Sequence, residues 1–307
     1  MKLNKFYPPL LRKLKNRQDI VIKKYKLHYK GGNYDFLRIA SKSINSQDNV
    51  ILICAGIHGE ETAGPLTILN FINEIVDYIH QNNLKCVIYP LINPSGFKNC
   101  TRYNIDNDRG EYGNNDFLRY EIKKGILVDD LTKSKNGSFK KWYWSSDKKL
   151  GLKLPQETVL MHKVLKNDPL SKVIAVLDLH QDYISDAPSA AYQYTFGDNS
   201  VYNDIINKIK KIIPLYKNKN IEAGEASPIR SDNQGFIKRH DGSLTDLVYR
   251  LGVKHCITVE TTGKTPLKTA QEVNLIWIFG VVDILHKNKA KTKTVSQLVK
   301  NSLKGSF

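Results

Sequence analysis

Four short apolar runs constrain this chain more than anything else in it: VILICA (50–55), CVIYPLI (86–92), KVIAVLDL (172–179) and KHCITVE (254–260). Short, continuous and β-branched, they suit strands buried on both faces rather than half-exposed ones. Segments with helical spacing of apolar residues lie between them. One carries Leu66, Ile68, Leu69, Phe71, Ile72, Ile75 and Ile79; others span 157–165, 201–213, 243–251 and 269–285. Strands alternating with helices predict an α/β fold with helices on both faces of the sheet. IVIKKYKLHY and YDFLRIA, separated by Gly31-Gly32-Asn33, read as a hairpin ahead of the first run. Residues 97–153 are polar and read mostly as loop; so long an irregular stretch in a compact domain points to function.

Charge narrows the partners. The formal net charge is +17, which fits nucleic acid, an anionic surface or an acidic substrate. The lysines are spread along the whole chain, thickening over 2–26 and 286–293, and no finger, RNP-type or basic-zipper pattern accompanies them. A solvated basic surface therefore accounts for the charge, with an acidic substrate as the second reading and no nucleic-acid partner expected. Cys54, Cys86 and Cys256 sit inside apolar runs and Cys100 does not; none forms C-x-x-C. They read as free thiols of a reducing compartment. The first residues lack an apolar signal-peptide core, and no 18-residue apolar run occurs, so a cytoplasmic protein without a membrane span is expected.

In open α/β sheets, ligands bind beyond the carboxyl ends of the strands. Three of the runs place an ionisable residue there: His58 just after one, His180 after another, Glu260 at the end of a third. His58 and Glu61, three apart at the start of a helix, can turn toward one point. Catalytic zinc takes three such protein ligands and keeps a position for water. His-x-x-Glu alone is a weak signal. A strand-end histidine is commonly a hydrogen-bonded turn residue, and Glu61 would also suit a helix N-terminus. Glu60 reads as solvated or supporting. Glu260 closes the apolar string CITV, where an ionised carboxylate costs free energy unless compensated, and a nearby metal would supply that compensation.

GIHGEETAGP (56–65) resembles the zinc-binding segment of the zinc carboxypeptidase family. NPSGF (93–97) followed by TRYN (101–104) resembles that family's segment bearing an arginine that polarises the scissile carbonyl. DLH (178–180) resembles the segment giving the third ligand. GSLTDLVYRLGVKHCITVET (242–261) resembles the segment ending in the catalytic glutamate, with Asp246, Tyr249, Gly252 and Glu260 at that spacing. The resemblance runs from about residue 20 to 290. It implies a single domain with a mixed, mostly parallel sheet, bounded at 19–290, between a basic segment (1–18) and a basic tail (291–307).

The resemblance also implies roles. His58, Glu61 and His180 would hold one Zn2+ per chain, Glu260 would move the proton of a metal-activated water, and Arg102 would stabilise the oxyanion. Arg109, with Arg119 as a poorer candidate, would hold a substrate carboxylate, and Asp106 or Asp108 would orient His58. Tyr249 would contact substrate. No tyrosine stands just before Gly242, where His240 or Lys238 would replace it. The implied activity is hydrolysis of an amide (peptide) bond next to a carboxylate-bearing residue of a small peptide or N-acyl amino acid. RYNIDNDR (102–109) also resembles a string of the succinylglutamate desuccinylase and aspartoacylase branch, whose members are N-acyl amino acid deacylases. Only 47 residues follow Glu260, where that branch carries a further β domain, so the peptidase architecture is expected. A catalytically inactive binding protein on the same fold is less compatible with an intact ligand set.

Overall fold

The computed structural model describes residues 2–29, 32–104, 114–183, 187–221 and 229–304, with side chains of the last helix as far as Lys287. In chain order the strands are β1 (Ile20–Tyr29), β2 (Gly32–Ser41), β3 (Val50–Ala55), β4 (Lys85–Tyr89), β5 (Leu118–Lys123), β6 (Ile126–Val128), β7 (Lys141–Trp144), β8 (Val173–Leu179), β9 (Ala191–Thr195), β10 (Phe236–Ile237) and β11 (His255–Thr261). The helices are α1 (Tyr7–Leu14), α2 (Ala63–Gln81), α3 (Pro94–Asn99), α4 (Gln156–Lys166), α5 (Asn203–Ile209), α6 (Leu244–Arg250) and α7 (Leu267–Lys304).

The four apolar runs become four adjacent strands. The main sheet has the order β1-β2-β4-β3-β8-β11-β9-β10. Its centre, β4-β3-β8-β11, is parallel. Toward one edge β2 and β1 turn antiparallel, and on the other side β9 runs antiparallel to β11. Side chains alternate across the sheet. Ile51 and Ile53 therefore join a core built with α1, α2 and α7, while Leu52 and Cys54 join a second core with α4, α6 and the smaller sheet. That double cover is why β3 carries six apolar residues in a row, all buried. The edge strand β1 instead shows Lys23, Lys24 and Lys26 to solvent, which discourages further strand pairing. Cys54, Cys86 and Cys256 are buried free thiols and Cys100 is exposed.

Three sequence expectations change. Residues 97–153, expected mostly as loop, also hold the end of α3 and a three-stranded antiparallel sheet, β6-β5-β7. The strands are too short for an alternating pattern to stand out from their polar surroundings. This layer is fastened to the segment before α6, because Gly242 O accepts from both Phe117 N and Leu118 N at 3.1 Å. The basic segment 1–18 does not lie outside the domain. Phe6, Leu10 and Leu14 are buried in the core, while Lys13 reaches Asn70 O at 2.6 Å. At the other end α7 runs on to Lys304, past the expected boundary at 291. No described helix is long and apolar enough to cross a membrane.

Candidate metal centre

Strands β3, β8 and β11 are neighbours, and each ends at the same edge of the sheet. After β3 the chain must reverse over that edge. Gly56 permits this with φ +67°, and a Cβ there would meet Leu91 Cδ1 at 2.7 Å. Gly59 comes so close to the next layer that a Cβ would lie 2.1 Å from Gly96 C. Its amide donates to Arg102 O at 3.1 Å. Asn93 closes the same knot: Oδ1 accepts from Gly96 N at 2.8 Å, and Nδ2 donates to Ile57 O and Arg102 O at 3.2 Å each. The NPSGF string is thus the clamp that holds the His58 turn against the Arg102 turn.

Within this frame His58, Glu61 and His180 converge, each buried, with one ligand atom apiece inside a 4.8 Å sphere of mutual distances. Nδ1 of His58 lies 2.6 Å from Glu61 Oε1, and Nδ1 of His180 lies 2.8 Å from Glu61 Oε2. The far nitrogens are held from behind. Nε2 of His58 is 2.8 Å from Asn114 Oδ1, and Nε2 of His180 is 3.2 Å from Asp178 Oδ2. With N–H at Nε2 on each ring, both Nδ1 lone pairs face the Glu61 carboxylate, an arrangement that a cation held among them would satisfy. His180 Nδ1 is close to Glu61 yet makes no aligned hydrogen bond. These donors fit a tetrahedral divalent ion, and zinc by their type.

Without such an ion, protons take its place. Burial opposes the charged form of His180, but Asp178, Glu61 and Glu260 outweigh it and raise its pKa well above the ordinary value. Burial would raise Glu61, and His58 with His180 hold it well below the usual carboxylate range. Glu260 moves the other way. Burial drives it well up, with Glu61 and Asp182 adding to the effect. Its Oε1 is 3.7 Å from His180 Nδ1, and its Oε2 is buried without a hydrogen-bond partner.

A cleft of about 550 Å³ opens over this group. Arg102 lines it, with Nη1 3.1 Å from Glu61 Oε1 and 3.5 Å from Glu60 Oε1, so Glu60 belongs to the site wall. Arg109, Asp106 and Asp108 lie outside the described residues. Arg119 is buried against Asp116 at 3.2 Å and does not line the cleft. Two further assignments are corrected. His240 turns away from the cleft: its Nδ1 is 2.8 Å from Asp246 Oδ1 and its ring stacks on Phe196 at 4.9 Å. Arg239 and Asp241, on either side of it, line the wall instead, as alternation in an extended segment requires. Tyr249 packs in the same ring cluster, 4.7 Å from Phe196 and 5.7 Å from His240, and is also absent from the cleft wall. Lys238 is exposed and does not line it either.

Sequence reasoning missed Asn114, Asp182, Tyr192, Tyr194, Arg239 and Asp241, all on the wall. Tyr192 and Tyr194 share one face of β9, a five-residue strand whose AYQYT pattern was the available signal. Asp182 stands two residues past His180, where a motif ending at the ligand stops short.

Comparison with known proteins bears on the fold. Residues 47–121, less than half of the chain, match the profile of the succinylglutamate desuccinylase/aspartoacylase catalytic domain. A proposed metallopeptidase from Shewanella baltica OS155 superposes with a TM-score of 0.64 at 21% identity, covering 92% of this chain and 91% of that one. Thrombin activatable fibrinolysis inhibitor gives 0.60 at 15% identity, covering 94% and 74%. A metallo-carboxypeptidase from Burkholderia cenocepacia gives 0.56 at 10% identity, covering 91% and 68%. No curated protein matches by sequence. The fold is that of the zinc carboxypeptidase-like proteins. Within this fold the profile match spans His58, Glu61 and Arg102, whereas His180, just after β8, and Glu260, on β11, lie beyond it.

Proposed function

We propose that this chain is a zinc-dependent hydrolase that cleaves an amide (peptide) bond next to a carboxylate-bearing residue of a small peptide, acting as a carboxypeptidase-like enzyme in a reducing, cytoplasmic setting. The observation that carries the reading is the pair of Nδ1 atoms facing the Glu61 carboxylate, with Glu260 beside them. His58, Glu61 and His180 hold the metal. When bound, a divalent ion supplies Lewis acidity to a water and to the scissile carbonyl. Glu260 accepts the water's proton and returns it to the leaving amine. Arg102 offers its guanidinium to the oxyanion, releasing Glu60 and Glu61 in part as charge develops. Arg109 is assigned to the substrate carboxylate, for which a guanidinium makes a two-pronged fork.

The second reading, an N-acyl amino acid deacylase, is favoured by the profile match over 47–121. Assaying the zinc-loaded chain against blocked dipeptides and against N-acetyl and N-succinyl amino acids separates them. Release of an amino acid from dipeptides supports the peptidase; release of acetate or succinate alone supports the deacylase; hydrolysis of neither class rejects both.

A further inference from the structure

The chain is basic, with a net charge of +17, yet its cleft is acidic. Apart from Glu61 and Glu260, the described wall carries Glu60, Asp129, Asp178, Asp182 and Asp241 against two guanidinium groups, Arg102 and Arg239. Both guanidiniums are already compensated, Arg102 by Glu61 and Glu60 and Arg239 by a direct ion pair with the buried Asp130. Even a divalent ion on the three ligands leaves this wall net negative.

Carboxylates clustered in a desolvated cleft repel one another, and a second observation says what relieves them. Asp178 is 2% exposed and lines the cleft, and its Oδ1 has no hydrogen-bond partner among the described residues. Tyr194 also lines the cleft, within electrostatic reach of Glu260, Asp182 and Asp241 as well as of Arg239, whose charge Asp130 already balances. Tyrosine faces attract ammonium and guanidinium groups. Burial, with the Asp246 carboxylate adding to it, pushes Asp241 up to about 6. A cation beside it would reverse that cost.

We infer that the substrate carries a cationic group, an ammonium or a guanidinium, held by Asp241 and Asp182 against Tyr194. This deepens the proposed hydrolase and rests on that reading. It replaces the expectation, drawn from overall charge, of an acidic substrate, and it runs against the polyanionic substrates of a deacylase for acidic amino acids.

The test uses the zinc-loaded full chain and two matched series, benzoyl-Gly-X and benzoyl-X-Gly, with X as lysine, Nε-acetyl-lysine or glutamate. In at least one series lysine should exceed its acetylated form by about tenfold in kcat/KM, one well-placed charge pair, and exceed glutamate by more. Asp241→Asn should shrink the lysine-to-acetyl-lysine ratio several-fold, and so should raising the salt concentration in the wild type. Equal rates across X, or a preference for glutamate, overturn the cation proposal while leaving the hydrolase intact. If nothing turns over, the peptidase reading has failed. Calorimetric binding of free lysine, Nε-acetyl-lysine and glutamate then decides the charge question alone: tighter lysine supports the inference, and any other order sinks it.

Discussion

Replacing Glu157 by glutamine should change how stability depends on pH. Glu157, on α4, is 2% exposed, and its carboxyl accepts hydrogen bonds from Tyr29 Oη and Ser95 Oγ. Burial pushes its pKa up to about 8. In the unfolded chain a glutamate titrates near its ordinary value of about 4.3. Between those limits the folded state keeps a proton that the unfolded state releases. The stability tied to this group is therefore complete below about pH 4.3 and is lost as pH rises toward 8. At roughly 1.4 kcal/mol per pH unit, about 3–4 kcal/mol has gone by pH 7. Glutamine keeps the shape, accepts from one hydroxyl, donates to the other and has nothing to ionise. Glu157→Gln should match the wild type near pH 4.5 and gain on it steadily above. Urea unfolding of both proteins from pH 4.5 to 8 measures this. Parallel stability curves would refute the reasoning and place an ionised, compensated carboxylate at this position. Ser95 belongs to the clamp over the Arg102 turn, so the same titration should soften the site's support as the pH rises.

Glu260→Gln should keep its metal and its melting temperature yet lose about 10²–10⁴-fold in kcat with KM little changed, as removal of a general base does. Asn114→Ala should weaken zinc about 10–100-fold by freeing the far nitrogen of His58, with Asn114→Asp restoring it, as read by competition with a chelator. Arg109→Ala should raise KM strongly, amidation of the substrate carboxylate should do the same, and lysine should be a poor replacement because it cannot form the fork.

The middle of the sheet was readable because a strand buried on both faces must be apolar throughout, and the four runs satisfy that condition. The convergence of His58, Glu61 and His180 was readable for a related reason. Each ligand sits where such a run stops, and an ionisable residue stands out there. Strands β5–β7 and β9 were not readable, since three to six residues in polar company carry too little periodicity. The substrate wall failed on parity. The motif pointed to the stretch before Gly242, but only coordinates show that Arg239 and Asp241 face the cleft while His240 faces Phe196 and Asp246. Tyr249 failed likewise, because its helical spacing fixes a position along α6 and not which neighbour receives the ring. Asn114 lies in a stretch whose length the motif does not fix, so the sequence did not point to it as the acceptor behind His58.

The central claim is that His58, Glu61 and His180 form one metal site. Elemental analysis of the purified chain after incubation with zinc and removal of the excess tests it most directly, run beside His180→Ala. One zinc per chain in the wild type, and its loss in the variant with the fold retained by circular dichroism, is the result this account predicts. A wild type that holds no zinc, or a His180→Ala protein that holds as much as the wild type, would contradict it.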